Sequence, residues 1–399
     1  MPARRPLLVA LALALAACAR VPGDAVTRCE ATQVVPEAVK TDILFVIDDS
    51  GSMDGEQKNL SDNLSAFIQA LDAAPIANEF QIGVTTTSVA DYDGGATYGT
   101  VPYPAGALIA IARDSSGTPV PGRIVYSNGQ FGGTRILVAG SQSLVPDFQA
   151  NVRVGIAGSG KEQPFRAARL AISDRISDGT NAGFLRPGAR LAIVFLSDED
   201  DCSDTVAPFA QSEGDCHAAS WKAPGGGLDE VADFVSFLRG PIAGETRDVV
   251  AATIVGLSPT TLEPSCKTCP NTDCSTGEDE GDRYLTLTQA LGTAHTRIAS
   301  ICDLSFRTAL EDIAGLLVAQ SMPLQGTPAD WRMLAVGVDR AGLSTTIPCT
   351  VALDGSAEAS AADAVYTPPL AGRPANVTFQ NDCRLQQGDR VQLQLVCAG

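Results

Sequence analysis

The sequence predicts a doubly wound, mostly parallel α/β domain followed by a small antiparallel β domain. Apolar runs such as Ile43–Ile47 and Leu191–Leu196 are typical of strands buried on both faces of a parallel sheet. Segments with apolar residues at helical spacing separate such runs. After Met322 the pattern changes to period-two alternation without a helix, which is typical of antiparallel strands.

The α/β pattern extends over residues 41–321. The first apolar run is followed by a helical pattern at 60–71 and a strand at 80–86, which together predict a βαβ unit. The later elements alternate in type, and they are predicted as a helix at 163–177, a strand at 191–196, a helix at 228–238, a strand at 249–257 and a helix at 304–320.

Two segments interrupt this alternation. Residues 88–150 are rich in glycine and predict an irregular insertion with hairpins and a core strand near Ile136–Val138. Residues 258–283 predict a cysteine-rich loop. In the β domain, at 322–399, the pair Asp354-Gly355 predicts a tight hairpin turn.

Composition limits the function classes. The chain has 399 residues, 45% hydrophobic and 19% charged, which suits a folded globular protein. Its net charge of −18 would repel phosphate backbones, so we expect no nucleic-acid partner. His217 and His295 are the two histidines of the sequence, and we expect both to be structural or solvated rather than catalytic.

The N-terminus predicts an export signal. Arg4 and Arg5 precede an apolar run at 7–17, which is too short to span a bilayer but suits a signal peptide. The run ends Leu-Ala-Ala-Cys18, which resembles a bacterial lipobox. The alternative is an ordinary secretory signal with an incidental cysteine. The lipobox resemblance implies cleavage after residue 17, a lipid on Cys18 and a polar tether over 18–40.

The same resemblance implies a location. Contact with the membrane would be through the lipid alone, because no later segment reaches 18 apolar residues. Ala19 is not the aspartate that often retains bacterial lipoproteins at the inner membrane, so outer-membrane placement in the cell envelope is favoured.

Polar residues at the end of the first predicted strand are candidates for a ligand-binding site. Asp48, Ser50 and Ser52 form an Asp-x-Ser-x-Ser motif between a buried strand and a helix. Ligands of open α/β sheets bind at this edge. Ser159 lies in a glycine-flanked loop before a predicted helix, and Asp198 ends a later buried strand.

These pieces together resemble the metal-ion-dependent adhesion site of von Willebrand factor type A domains, and the resemblance covers residues 41–321. It implies a Rossmann-like fold and one divalent cation, with Mg²⁺ expected and Ca²⁺ or Mn²⁺ as alternatives. It also implies non-enzymatic binding of a protein partner that offers an acidic side chain to the cation. The implied ligands are Asp48, Ser50, Ser52, Ser159 and Asp198.

The chemistry of the residues supports this assignment independently. Small hard cations prefer oxygen ligands and usually keep some water. The serines would coordinate directly, and the aspartates would supply negative charge, partly through water. The alternative is that the serines cap the first helix and Asp198 caps a loop.

Two features depart from the family pattern. Ser159 stands where many members have threonine. Asp49 and the run 199–201 add further carboxylates. These could tighten cation binding, weaken attraction for an acidic ligand or favour Ca²⁺, but we expect a solvated acidic loop.

A second motif overlaps the site. Residues 155–161 match the glycine-lysine part of a phosphate-binding loop, but Glu162 stands where that loop needs Ser or Thr. A nucleotide hydrolase through Lys161 is therefore an alternative function, as is a carboxylate-based hydrolase. A third alternative is a purely structural envelope protein.

The cysteine count agrees with export. If Cys18 carries the lipid, the remaining cysteines are even in number and are expected to form disulfides. Cys202 with Cys216 would brace a loop beside Asp198, and Cys29 is a candidate partner of Cys302. Half of a zinc pattern at 266–274 lacks a second half, so disulfides are favoured there. The candidate disulfide cysteines are Cys29, Cys202, Cys216, Cys266, Cys269, Cys274, Cys302, Cys349, Cys383 and Cys397.

Overall fold

The computed structural model describes residues 27–34, 38–74, 76–89, 103–126, 133–205, 213–318, 320–324, 326–369, 375–386 and 388–397. The predicted signal peptide and Cys18 lie outside these residues. Among the described residues, no helix is long and apolar enough to cross a membrane.

The strands follow the apolar runs of the sequence. They are β1 (Thr27–Val34), β2 (Ala38–Ile47), β3 (Ala77–Thr86), β4 (Ala110–Arg113), β5 (Pro119–Val125), β6 (Ile136–Val138), β7 (Arg190–Leu196), β8 (Pro241–Ile242), β9 (Glu245–Thr246), β10 (Val249–Val255), β11 (Thr296–Ser300), β12 (Gln320–Pro323), β13 (Ala335–Asp339), β14 (Ile347–Cys349), β15 (Val351–Leu353), β16 (Ala364–Thr367), β17 (Asn376–Phe379) and β18 (Arg390–Cys397).

The helices lie mainly between the strands of the first domain. They are α1 (Asp54–Asp72), α2 (Leu144–Asn151), α3 (Pro164–Ile172), α4 (Asp174–Ser177), α5 (Glu213–His217), α6 (Ala219–Lys222), α7 (Val231–Arg239), α8 (Asp282–Leu291) and α9 (Arg307–Val318).

A mostly parallel six-stranded sheet forms the centre, in the order β11-β10-β7-β2-β3-β6. The neighbours among β11, β10, β7, β2 and β3 run parallel, and the edge strand β6 is antiparallel to β3. Along β2, Ile43, Phe45 and Ile47 pack on one face with α1, α2 and α9. Leu44 and Val46 pack on the other face with α3, α7 and α8. This two-sided burial explains why the strand reads as an unbroken apolar run.

The two insertions contain more structure than the sequence indicated. The first holds the hairpin β4–β5, the predicted strand β6 and the helix α2.

The edge strand β11 was not predicted, since 296–300 is short and mixed in polarity. Cys302, which follows it in a turn, is bonded to Cys274, so the suggested pairing of Cys29 with Cys302 is wrong.

The second domain contains two four-stranded sheets, β1-β18-β13-β14 and β12-β17-β16-β15. Their apolar faces share one core, in which Val336, Val377 and Val391 are buried. Residues 27–34, expected within a polar tether, form the edge strand β1, which pairs antiparallel with β18. The N-terminal segment thus completes a sheet of the C-terminal domain.

One strand pair departs from the expected antiparallel pattern. β15 and β16 run parallel. The tight hairpin predicted at Asp354-Gly355 is therefore wrong, because parallel strands need a longer connection than a two-residue turn. The two strands are instead joined by a ten-residue connection, 354–363, in which Gly355 has a φ of 79°.

Disulfides join cysteines in both domains. The structure shows Cys202–Cys216, Cys266–Cys269, Cys274–Cys302 and Cys349–Cys383. The first of these was expected beside Asp198. The bonds at 266–274 confirm that these cysteines form disulfides rather than half of a zinc site.

Candidate functional site

The site lies at the carboxyl ends of two adjacent strands. Ile47, which ends β2, is in register with Leu196, which ends β7. Asp48 continues the pairing, because its N–H donates to the Leu196 carbonyl at 2.9 Å. The parallel arrangement therefore places the Asp-x-Ser-x-Ser motif beside Ser197 and Asp198.

The first motif forms a loop held by its own aspartate. Asp48 is fully buried, and its Oδ1 accepts a 2.8 Å hydrogen bond from the Ser50 N–H. The hydroxyls of Ser50 and Ser52 lie 3.4 Å apart. Gln57 of α1 donates to the Asp48 carbonyl at 2.8 Å and so fixes the helix beneath the loop. Burial, reinforced by the charge of Glu199, raises the pKa of Asp48 to about 7.

Asp198 is a buried carboxyl without hydrogen-bond partners among the described residues. Its side chain is fully buried, and neither carboxylate oxygen has a hydrogen-bond partner among the described residues. Burial and then the charge of Asp48 raise the pKa of Asp198 to about 9. The Ser52 hydroxyl is close enough to lower that pKa, although it makes no hydrogen bond of standard geometry. Asp48, Ser52 and Asp198 therefore face one another.

Ser159 reaches the same edge through Asp49. The N–H of Gly158 donates to the Asp49 carbonyl at 2.8 Å, and the N–H of Ser159 donates to the Ser88 hydroxyl at 2.8 Å. Ser88 in turn donates to Asp49 Oδ1 at 2.8 Å, and the Tyr103 hydroxyl lies 3.1 Å from Oδ2. The buried Asp49 therefore joins the loop that contains Ser88 to the loop that contains Ser159.

The structure corrects the expectation of a solvated acidic loop at 199–201. Glu199, Asp200 and Asp201 are 5%, 1% and 1% exposed. Asp201 pairs with Arg283 at 2.9 Å, and Asp200 lies 3.0 Å from the Lys222 ammonium. The acidic run is therefore an internal ion-pair network that holds the loop after β7.

Sequence reasoning did not include a buried carboxyl pair behind the motif. Glu162 is 2% exposed, and its Oε1 has no hydrogen-bond partner among the described residues. Burial and the charge of Asp48 raise the pKa of Glu162. Although burial alone would raise the pKa of Glu199, the nearby His217 and Glu162 side chains lower it. His217 Nε2 lies 3.5 Å from Glu199 Oε2. The sequence at Lys161-Glu162 has no hydrophobic periodicity that would have indicated a pair with Glu199.

The position of Lys161 argues against the phosphate-binding-loop alternative. Lys161 is 1% exposed, and its ammonium lies 3.0 and 2.9 Å from the two carboxylate oxygens of Asp204. Its N–H donates to the Ser159 hydroxyl at 3.0 Å. Lys161 therefore braces the glycine loop from inside, and a phosphate could not reach its ammonium without breaking a buried ion pair.

The donor set fits a hard divalent cation. Among the described residues, no group of three or more His, Cys, Asp and Glu side chains could hold a metal ion. A site here would therefore depend on serine hydroxyls beside two aspartates, as the sequence motif implies. The fully buried Asp198 carboxyl, which lacks a hydrogen-bond partner among the described residues, supports the fit, because its ionised form is costly there unless a cation compensates it. When bound, such a cation supplies an electrophilic position for an oxygen ligand.

Comparisons give a structural likeness and no sequence match. The sequence matches no protein-family model and no curated protein. The structure is similar to a von Willebrand factor type A protein from Catenulispora acidiphila, with 13% identity and a TM-score of 0.38 over 94% of this chain. It is also similar to the open form of the pilus adhesin SpaC from Lactobacillus rhamnosus GG, with 12% identity and a TM-score of 0.41 over 92% of this chain.

The chain is shorter than both of these proteins. It spans 62% of the first and 40% of the second. A further neighbour is proximal thread matrix protein 1 of the mussel byssus, with 10% identity and a TM-score of 0.34 over 73% of this chain and 51% of that one.

Proposed function

We propose that the chain is a non-enzymatic, cation-dependent binding protein of the cell envelope. Asp48, Ser50, Ser52, Ser159 and Asp198 would hold one divalent cation, with Mg²⁺ preferred. The observation that carries the proposal is the Asp198 carboxylate, which is fully buried, lacks a hydrogen-bond partner among the described residues and faces Asp48 and Ser52.

The proposal explains how the loops are built. Asp48 is oriented by Ser50 and Ser197, and Asp49 fixes the loop that carries Ser159. Ser52 is exposed, so the site opens to solvent on its side. A partner's acidic side chain could approach there, because neutral hydroxyl ligands leave the cation attractive to an anion.

Cation binding is tested by heat stability and titration calorimetry. A ligand that binds only the folded state raises the melting temperature with its concentration. We expect Mg²⁺ to stabilise the wild type and to have no such effect on Asp198→Asn or on Ser50→Ala. Asp62→Asn, on the exposed face of α1, is the matched control and should respond as the wild type does. Equal stabilisation of all four proteins would overturn the assignment.

Partner binding is tested separately. Wild type and Asp198→Asn are immobilised and exposed to envelope extract with Mg²⁺ or with chelator. Proteins retained by the wild type alone, and released by chelator, would be the acidic partners that the proposal requires. Retention that survives both chelator and the substitution would contradict it and would leave a structural role.

We further infer that Cys18 is acylated and anchors the chain in the outer membrane. Disulfides among the described cysteines are typical of proteins outside the reducing cytosol, which supports export. Intact mass of the protein from membranes should show loss of residues 1–17 and an added lipid. Cys18→Ala should move it to the soluble fraction, and an unmodified mature mass would contradict the anchor.

A further inference from the structure

A cleft of about 1150 Å³ lies between the two domains, away from the candidate cation site. One wall comes from the first domain and includes Ala74, Gly315 and β11. The other comes from the β domain and includes Gly355 and Phe379. The volume exceeds that of most small-ligand pockets, and the walls are rich in alanine and glycine.

The cleft exposes an open edge of the central sheet. β11 pairs with β10 on one side and is the end strand of the sheet. The N–H of Ile301 donates to Val255 of β10 at 2.8 Å. Because backbone groups alternate in direction along a strand, the N–H and C=O of Ile298 point away from β10, toward the cleft. Among the described residues, neither group makes a hydrogen bond outside the sheet.

One glycine in each wall of the cleft leaves open space beside the edge strand. Ile298 packs its side chain against the core on one face of the sheet, so it does not cover its own strand edge. A Cβ added at Gly315 or at Gly355 would meet no atom within 4 Å. The free backbone groups at this edge are those of Ile298, because the Thr296 carbonyl accepts from the Arg297 guanidinium at 2.6 Å and the Ser300 carbonyl accepts from the N–H of Asp303 at 3.3 Å.

The cleft also contains a cation without an ion pair. Arg384 lines it, is exposed, and has no carboxylate within ion-pair distance among the described residues. The other lining charges are accounted for: Glu311 pairs with Arg307 at 2.9 Å, and Asp312 attracts Arg297. The exposed guanidinium of Arg384 is therefore open to a carboxylate-bearing ligand.

We propose that this cleft binds an extended peptide segment of a partner protein, which adds a strand to β11 and places an acidic group against Arg384. The backbone of Ile298 would exchange hydrogen bonds with the added strand, in the manner of strand addition at an exposed sheet edge. A second copy of this chain fits less well, because the β domain stands across the cleft from the edge. The binding does not require the cation.

Two substitutions separate the backbone from the side chain at the same position. Ile298→Pro removes the N–H that faces the cleft, without removing a bond to β10, and proline is tolerated on edge strands. Ile298→Ala shortens the side chain to a comparable extent in the core but keeps the N–H. Arg384→Gln removes the charge.

The probe is a phage-displayed library of random twelve-residue peptides, selected on the wild type in chelator, which excludes the cation site. We expect selected peptides to contain an acidic residue and to slow amide exchange at Ile298. Ile298→Pro and Arg384→Gln should each weaken binding by about tenfold, roughly one lost hydrogen bond or charge contact, while Ile298→Ala stays near the wild type. A synthetic version of the best peptide, N-methylated at alternate residues, should lose binding to the unaltered protein.

Several outcomes of these measurements would overturn the proposal. No enrichment of peptides, or equal binding to wild type and Ile298→Pro, would overturn the proposal. So would undiminished binding of the N-methylated peptide, which needs no variant to fold. Loss of binding in Asp198→Asn would assign the peptides to the other site and would also overturn it.

Discussion

The Ser197 hydroxyl donates a 2.5 Å hydrogen bond to Oδ2 of Asp48, and this bond joins the ends of β2 and β7. The other oxygen of Asp48 accepts from the Ser50 N–H. Both oxygens are thus oriented from within the protein, whereas those of Asp198 are not. The asymmetry shows that Asp48 is fixed in the loop, and under the proposed function Asp198 is the carboxyl that meets the cation.

Gly158 is predicted to be intolerant of a side chain. A Cβ there would lie 2.2 Å from Cγ of Asp49, a carboxylate that Ser88 and Tyr103 hold in place. We expect Gly158→Ala to lower the free energy of unfolding by about 1–3 kcal/mol, as overpacking does, and to weaken Mg²⁺ binding. Denaturant titration and calorimetry measure the two effects.

The matched control is two residues away. A Cβ at Gly160 would meet no atom within 4 Å. Gly160→Ala should therefore keep stability and cation affinity close to those of the wild type. Equal effects of the two substitutions would show that the close approach to Asp49 does not restrict this loop.

Lys161 is predicted to act in folding and not in phosphate binding. Lys161→Met would remove the ammonium from a buried ion pair with Asp204, and removing one partner of a buried ion pair typically costs about 3–5 kcal/mol. Lys161→Met combined with Asp204→Asn should recover part of the lost stability. Denaturant unfolding measures the cycle, and binding of ATP that is lost in Lys161→Met alone would instead support a nucleotide site.

The sequence predicted the sheet well because burial on both faces leaves an unbroken apolar run, as at 191–196. It predicted the positions of Asp48 and Asp198 for the same reason, since each directly follows such a strand. It could not predict β11, a five-residue strand of mixed polarity that lacks that signal, nor β1, whose pairing partner β18 lies more than 350 residues along the chain. Contacts such as Glu162 with Glu199 depend on tertiary structure that no local pattern records.

The disulfides Cys274–Cys302 and Cys266–Cys269 should contribute unequally to stability. Cys274–Cys302 has a sequence separation of 28 and joins the second insertion to the turn after β11, whereas the separation in Cys266–Cys269 is 3. Because a longer loop loses more entropy on closure, we expect about 3–4 kcal/mol from the first and under about 2 kcal/mol from the second. Denaturant unfolding of paired Cys→Ser variants tests this order, and a larger loss from the shorter loop would contradict it.

His295 is predicted to make the junction of the domains sensitive to alkaline pH. It is buried, with Nε2 3.6 Å from Asp248 in the first domain and Nδ1 3.7 Å from Asp354 in the second. Burial lowers the pKa of the imidazole, but the two carboxylates outweigh it and raise that pKa to about 9. Arg190 also pairs with Asp248, at 2.7 Å, so the cluster keeps one cation after His295 loses its proton.

The sign of the pH effect follows from the raised pKa. The unfolded histidine has a pKa near 6.5. The stability that protonated His295 contributes is therefore complete below about pH 6 and is lost as the pH rises through about 9. We expect the free energy of unfolding of the wild type to exceed that of His295→Gln by about 2–3 kcal/mol at pH 6, and by much less at pH 10. Denaturant titrations at both pH values measure the difference, and a gap that stays constant between them would show that the imidazole contributes packing and not charge.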